Sequence, residues 1–270
     1  MLFRKRKDHW RDVDSALAVR LVDARLQLHH AAQFVATAGI SYLPKADDDS
    51  HTNMRWLGGA LAGQPLGDRP IRVAVRANPF SLAILGGDAT IANLELHGRT
   101  IADATAWLRK ELDRFGLDGD RYSSAKHYTI PAHAVERGAP FDASDTAAFE
   151  QLDRWYDDAD QVLEAVAEQR TGSPVRCWPH HFDIATLITP RPHVTIGVGL
   201  SPGDDSYAEP YWYVNRYPVP PEPPAVPALA GKGHWHQEGW FGAVLTGSRT
   251  QGRQQVADFI QSAVDALSKL

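Results

Sequence analysis

The chain has 270 residues, 43% of them hydrophobic and 23% charged, enough for one large domain or two small ones with a substantial core. Against 33 acidic residues stand 28 basic ones, a formal net charge of −5. That balance argues against a nucleic-acid or anionic-membrane partner, either of which asks for a basic face.

The cations Arg4, Lys5, Arg6 and Lys7 resemble the start of a signal peptide. No apolar segment follows, however, since His9, Arg11, Asp12 and Asp14 interrupt it. No apolar run approaches the roughly 18 residues a membrane span requires. Cys177 is the single cysteine, so neither an internal disulfide nor a thiolate cluster is available. The expectation is a cytoplasmic protein.

In chain order, residues 12–37 predict a helix, with Val13, Leu17, Leu21, Ala24, Leu28, Ala31 and Val35 drawing one stripe and Gly39 as its stop. The polar stretch PKADDDSHTN predicts a loop. Residues 71–77, 80–86 and 89–97 predict three strands, with a glycine-rich turn in LGGDA. The next helix is capped by Thr100 with Asp103 three residues on and ends at Gly116. A third spans about 145–170, carrying Phe149, Leu152, Tyr156, Ala159, Leu163 and Val166. Three more strands are predicted over 175–188, 193–200 and 209–217. PVPPEPPAVP follows, six prolines in ten residues, which predicts extended polyproline II. The last helix covers about 252–269.

Helices and hairpin-connected strands come in blocks. This predicts an α+β fold, a mainly antiparallel sheet flanked by about four long helices, rather than a doubly wound parallel sheet. We read residues 1–270 as one domain, with a split into two lobes near 118–126 as the alternative.

Chemistry concentrates in two histidine segments, drawn from 12 histidines and 8 tryptophans. If PVRCWPHHFDIATLI is a strand, Cys177, His181 and Asp183 share one face while Trp178, His180, Phe182 and Ile184 share the other. His181 and Asp183 then stand about 7 Å apart at roughly 3.3 Å per residue, near enough for two ligands to one metal or a base and its orienting carboxylate. Pro179 points to an edge or a bulge just before them. In HWHQEGW, an extended chain puts His234, His236 and Glu238 on one face and Trp235 and Gln237 on the other. Two imidazoles and a carboxylate are ligands typical of catalytic zinc and non-haem iron. The pattern is similar to the cupin H-x-H motif but departs from it, because Glu238 follows too soon and no histidine lies beyond His236. A third group, His29, His30 and Gln33 with Asp48, Asp49, His51 and Asn53, has no diagnostic spacing. Asp204, Asp205 and Glu209 are accounted for by Asx-turn chemistry after Pro-Gly. Neither a phosphate-binding G-x-G-x-x-G before a helix, G-x-S-x-G, a P-loop, H-E-x-x-H nor C-x-x-C occurs. Gly197 and Gly199 within a strand mark a bulge or a close backbone approach.

Taken together, WPHHFD, GLSPGDDSYAEPYWYV and GWFGAVL resemble an uncharacterised bacterial family of unknown function. It carries W-P-H-H-F-D, a P-G-D turn, P-Y-x-Y-V and a late G-x-A-V-L. The resemblance covers about residues 175–245, with LHHAAQ and DDSHTN similar as well. It implies a shared fold and a shared site without naming a reaction.

Three functions follow as expectations. The first is an enzyme holding a divalent metal (zinc, iron or manganese) with His181, Asp183, His234 and His236. In it a metal-activated water attacks a small molecule, Glu238 or Asp183 is the base, and Trp178, His180, Trp235, Trp240 and His51 wall the pocket. The second is a non-catalytic binding protein whose His and Trp side chains recognise a small ligand. In the third, those residues tie the proline-rich connector to the sheet. Oligomeric state is not specified by any of these patterns.

Overall fold

The computed structural model describes residues 20–270 except 69, 124–125 and 221–224. The Arg4–Lys7 cluster, residues 12–19 of the expected first helix and part of the proline run lie outside the described residues.

The first helix, α1 (Leu21–Tyr42), is buried on nearly every side, and Arg25, Gln27, His29, His30, Gln33 and Thr37 go into the interior with its apolar residues. It packs against α3 (Thr146–Arg170) and the first sheet. Gly39 does not end it. A Cβ there would stand 2.2 Å from the His51 carbonyl oxygen, so glycine lets the 43–54 loop cross the helix at that point.

The expected α+β architecture is present, but as two antiparallel sheets rather than one. The first is a meander of β1 (Arg55–Trp56), β2 (Leu61–Ala62), β3 (Ile71–Arg76), β4 (Ser81–Gly86) and β5 (Ala89–Glu95). The second has β6 (Arg176–Cys177), β7 (Ile184–Arg191), β8 (Val194–Ser201), β9 (Tyr211–Tyr217), β10 (His234–His236) and β11 (Gly242–Thr246). Its order is β10-β11-β9-β8-β7-β6. One apolar cluster takes residues from both sheets and from the helices. α2 (Ile101–Arg114) opens on a complete capping box, Thr100 and Asp103 satisfying each other's backbone amides.

In the second sheet the period-2 pattern separates two faces. Ile184, Thr186 and Ile188 on β7, Ile196, Val198 and Leu200 on β8, and Trp212 and Val214 on β9 are buried. On this side lie α3 and α4 (Arg253–Ser268). The opposite face carries Ala185, Leu187, Gly197, Gly199, Ser201, Tyr211, Tyr213 and Asn215, and among the described residues no helix packs on it. The two sheets meet where Met54 and Cys177 exchange backbone hydrogen bonds, 2.9 and 2.8 Å. That bridge carries the loop ahead of Met54 to the edge of the second sheet.

Candidate functional site

The expected single strand over 175–188 is instead a tight hairpin. Arg176 and Cys177 pair with Ala185 and Ile184, and Trp178 N–H donates to the Asp183 carbonyl, leaving Pro179, His180, His181 and Phe182 as its tip. The face assignment fails with it: Cys177 lies fully buried opposite Ile184, while Asp183 opens on the other side. Phe182 has φ +62°, a left-handed conformation that a bulky residue adopts only when its surroundings impose it. Here they do. His29 stacks flat on the Phe182 ring at 4.7 Å, and the buried Tyr156 hydroxyl donates to the Phe182 carbonyl at 2.7 Å. His29 Nε2 and Gln33 Nε2 reach the Pro179 carbonyl at 2.8 and 2.9 Å, and Tyr128 donates its hydroxyl to Gln33 Oε1. The tip is therefore fastened from α1 and α3, and it presents His180 and His181 outward.

Beside the hairpin lies an open groove of about 600 Å³. Its floor is the uncovered face of the second sheet. Tyr213 lies across Gly199, where a Cβ would come within 2.5 Å of the phenol oxygen, and Asn215 crosses Gly197 in the same way. The close approach at these two glycines is thus made by neighbouring side chains. Trp178, His180 and His181 form one wall together with Asp47, Asp48 and Asp49, which the Met54–Cys177 bridge brings alongside. Asp204 and Trp240 line it too, and the largely exposed Leu187 and Tyr217 sit at the far end of the strands.

Of the residues the sequence singled out, the groove brings together Trp178, His180, His181, Asp183 and Trp240. His234 and His236 do share a strand face, but both turn to the Tyr207 hydroxyl, 3.0 Å from His234 Nε2 and 2.9 Å from His236 Nδ1. They are not lining residues; His236 backs the groove by stacking on Trp240 at 4.3 Å. Glu238 lies beyond β10 with its side chain exposed, and its carbonyl, not its carboxylate, meets His236 Nε2 at 2.7 Å. Trp235 stacks on Phe241 and donates to the Pro227 carbonyl, tying the proline-rich connector to the sheet. His51 accepts from the Ala46 amide within its own loop. Among the described residues, no three His, Cys, Asp or Glu side chains are arranged to hold a metal ion.

Asp204 makes the expected Asx turn, accepting from the Ser206 and Tyr207 amides, and also takes the Tyr211 hydroxyl at 2.5 Å on the groove side. Glu209 instead holds Ser248. Sequence reasoning missed Asp47, Asp204, Tyr211, Tyr213, Asn215 and Tyr217 as lining. Their signal was the alternation in YWYVNRY facing the small residues of TIGVGLS.

Among the described residues, five aspartates line the groove and neither lysine nor arginine does. Asp48 is held low by hydrogen bonds from Ser50, and Asp49 Oδ2 meets His127 Nε2 at 3.0 Å. Burial pushes the Asp183 carboxyl up, against a short hydrogen bond that the Tyr213 hydroxyl donates to its Oδ2. Burial lowers His180 as well. Two buried acceptors at the floor have no partner: Asp183 Oδ1 and Asn215 Oδ1. Buried polar atoms are nearly always satisfied, so these two, unpartnered among the described residues, add to the acceptor-rich character of the floor.

Comparison of the chain with known protein families, curated proteins and solved structures returned no match.

Proposed function

We infer that this chain is a small-molecule-binding protein whose groove takes an organic cation, an ammonium or guanidinium group carried on a compact apolar or aromatic body. The observation that carries the reading is the set of five carboxylates, Asp47, Asp48, Asp49, Asp183 and Asp204, with neither lysine nor arginine among the described residues that line the groove. A cation offsets that charge, and an anion adds to it. Trp178, Trp240 and Tyr217 offer ring faces for the body of the ligand and for cation–π attraction.

The test is isothermal titration with matched pairs, phenethylamine against phenylpropionate and butylamine against pentanoate. The amines are expected to bind. Asp183→Asn, which keeps the shape and removes the charge, is expected to weaken them by about 2–5 kcal/mol, the usual effect of breaking a buried charged hydrogen bond. Equal binding of the carboxylates, or amine affinity that survives Asp183→Asn, would overturn the reading. Stoichiometric zinc, iron or manganese in protein purified without chelator or nickel resin would replace it with the metal-dependent hydrolase.

A further inference from the structure

A second cavity, of about 290 Å³, lies between α1 and α2 beside residues 122–123 and 126–136. Its character is opposite to that of the groove. Phe34, Ile101, Ile130 and the Tyr122 ring make apolar walls, and the Tyr122 hydroxyl is already spent on the Phe34 carbonyl at 3.0 Å. Two cations, Arg109 and Lys126, face one carboxylate, Glu136. His30 adds no charge of its own: burial holds its imidazole low, and its Nε2 meets the Pro131 carbonyl at 3.0 Å.

Lys126 is the informative residue. Its side chain is half-buried, and burial lowers its ammonium from the ordinary lysine value. Among the described residues the ammonium makes neither a hydrogen bond nor an ion pair, and Glu136 acts on it only through space. Arg109 commits one Nη to the Tyr122 carbonyl at 2.8 Å and keeps its other donors. A partly desolvated, unpaired ammonium is unfavourable unless an anion completes it.

We propose that this cavity binds a small organic monoanion, its carboxylate between Lys126 and Arg109 and its short apolar body against Phe34, Ile101 and Ile130. The apolar walls call for a carbon body rather than a bare inorganic ion, and the net single positive charge of the lining matches one carboxylate. The volume falls at the small end of ligand sites. Nothing in this assignment depends on what the groove binds.

Titration of the full chain at low ionic strength with octanoate and with octanol tests it. Octanoate is expected to bind at one site, at least tenfold more tightly than octanol. Lys126→Met keeps the aliphatic stem and removes the charge, and is expected to cost octanoate at least tenfold in affinity. Thr105→Trp, which fills the cavity from α2, is expected to abolish binding with the circular dichroism of the native fold retained. Asp183→Asn in the groove should leave it unchanged. The proposal is overturned if octanoate does not bind at millimolar concentration, if octanol binds as tightly, or if folded Lys126→Met or Thr105→Trp protein keeps the octanoate affinity.

Discussion

Replacing His29 with glutamine tests whether the hairpin tip is held by an uncharged imidazole. His29 is 4% exposed, and burial brings it from the ordinary 6.5 down to about 4. Its folded-state value lies below its unfolded one. On acidification the unfolded chain therefore takes up a proton near pH 6.5 while the native protein refuses it until about pH 4. Each pH unit in that window removes about 1.36 kcal/mol of stability, and the whole window about 3 kcal/mol. A glutamine amide overlays Nε2 and keeps a donor for the Pro179 carbonyl, but it cannot ionise. At pH 7 the variant is expected to be less stable by about 1 kcal/mol, through loss of the flat stack on Phe182. By about pH 4 it should have overtaken the wild type by roughly 2 kcal/mol, the 3 kcal/mol window less that initial deficit. Urea unfolding of both proteins at several values across the window measures the gap. Titrating groups that do not act on His29, the raised Asp183 among them, are common to both and cancel in the difference. A gap that stays constant from pH 7 to pH 4 would refute the buried neutral imidazole.

Three further substitutions probe the groove and the sheet behind it. Gly199→Ala places a methyl 2.5–2.7 Å from the Tyr213 phenol, so the ring must leave Asp183. It is expected to cost about 1–3 kcal/mol in thermal unfolding and to abolish amine binding. A normal melting temperature together with intact binding would contradict the packing described. Trp235→Phe keeps the stack on Phe241 but loses the bond to Pro227, for about 1 kcal/mol of stability and no change in ligand affinity. Trp240→Ala should lower affinity at least several-fold and, through loss of its stack with His236, cost at least about 1 kcal/mol in unfolding.

The elements legible in the sequence were those whose own periodicity decides them. The helices 101–114 and 253–268 match their apolar stripes, and Thr100 with Asp103 announced the first of them. The strands 71–76, 81–86 and 89–95 followed from alternation and turn residues. The hairpin at 178–183 was hidden because its apolar flanks read as one continuous strand. The backbone reverses at Phe182, and what imposes the reversal, His29 and Tyr156, lies more than a hundred and about twenty-five residues away along the chain. The spacing of His234 and His236 correctly put both rings on one face. It carried no trace of Tyr207, whose hydroxyl occupies both. In YWYVNRY both faces are aromatic, so alternation alone does not say that Trp212 faces the core and Tyr213 the groove.

The pair of backbone hydrogen bonds between Met54 and Cys177 is a seam two amides wide. Each sheet keeps its own ladders if it parts, whereas the Asp47–Asp49 wall would swing away from His181. A ligand bridging that wall and the hairpin acts as a third stitch, and amide exchange at Met54 and Cys177 registers its binding even where nothing else in the fold slows.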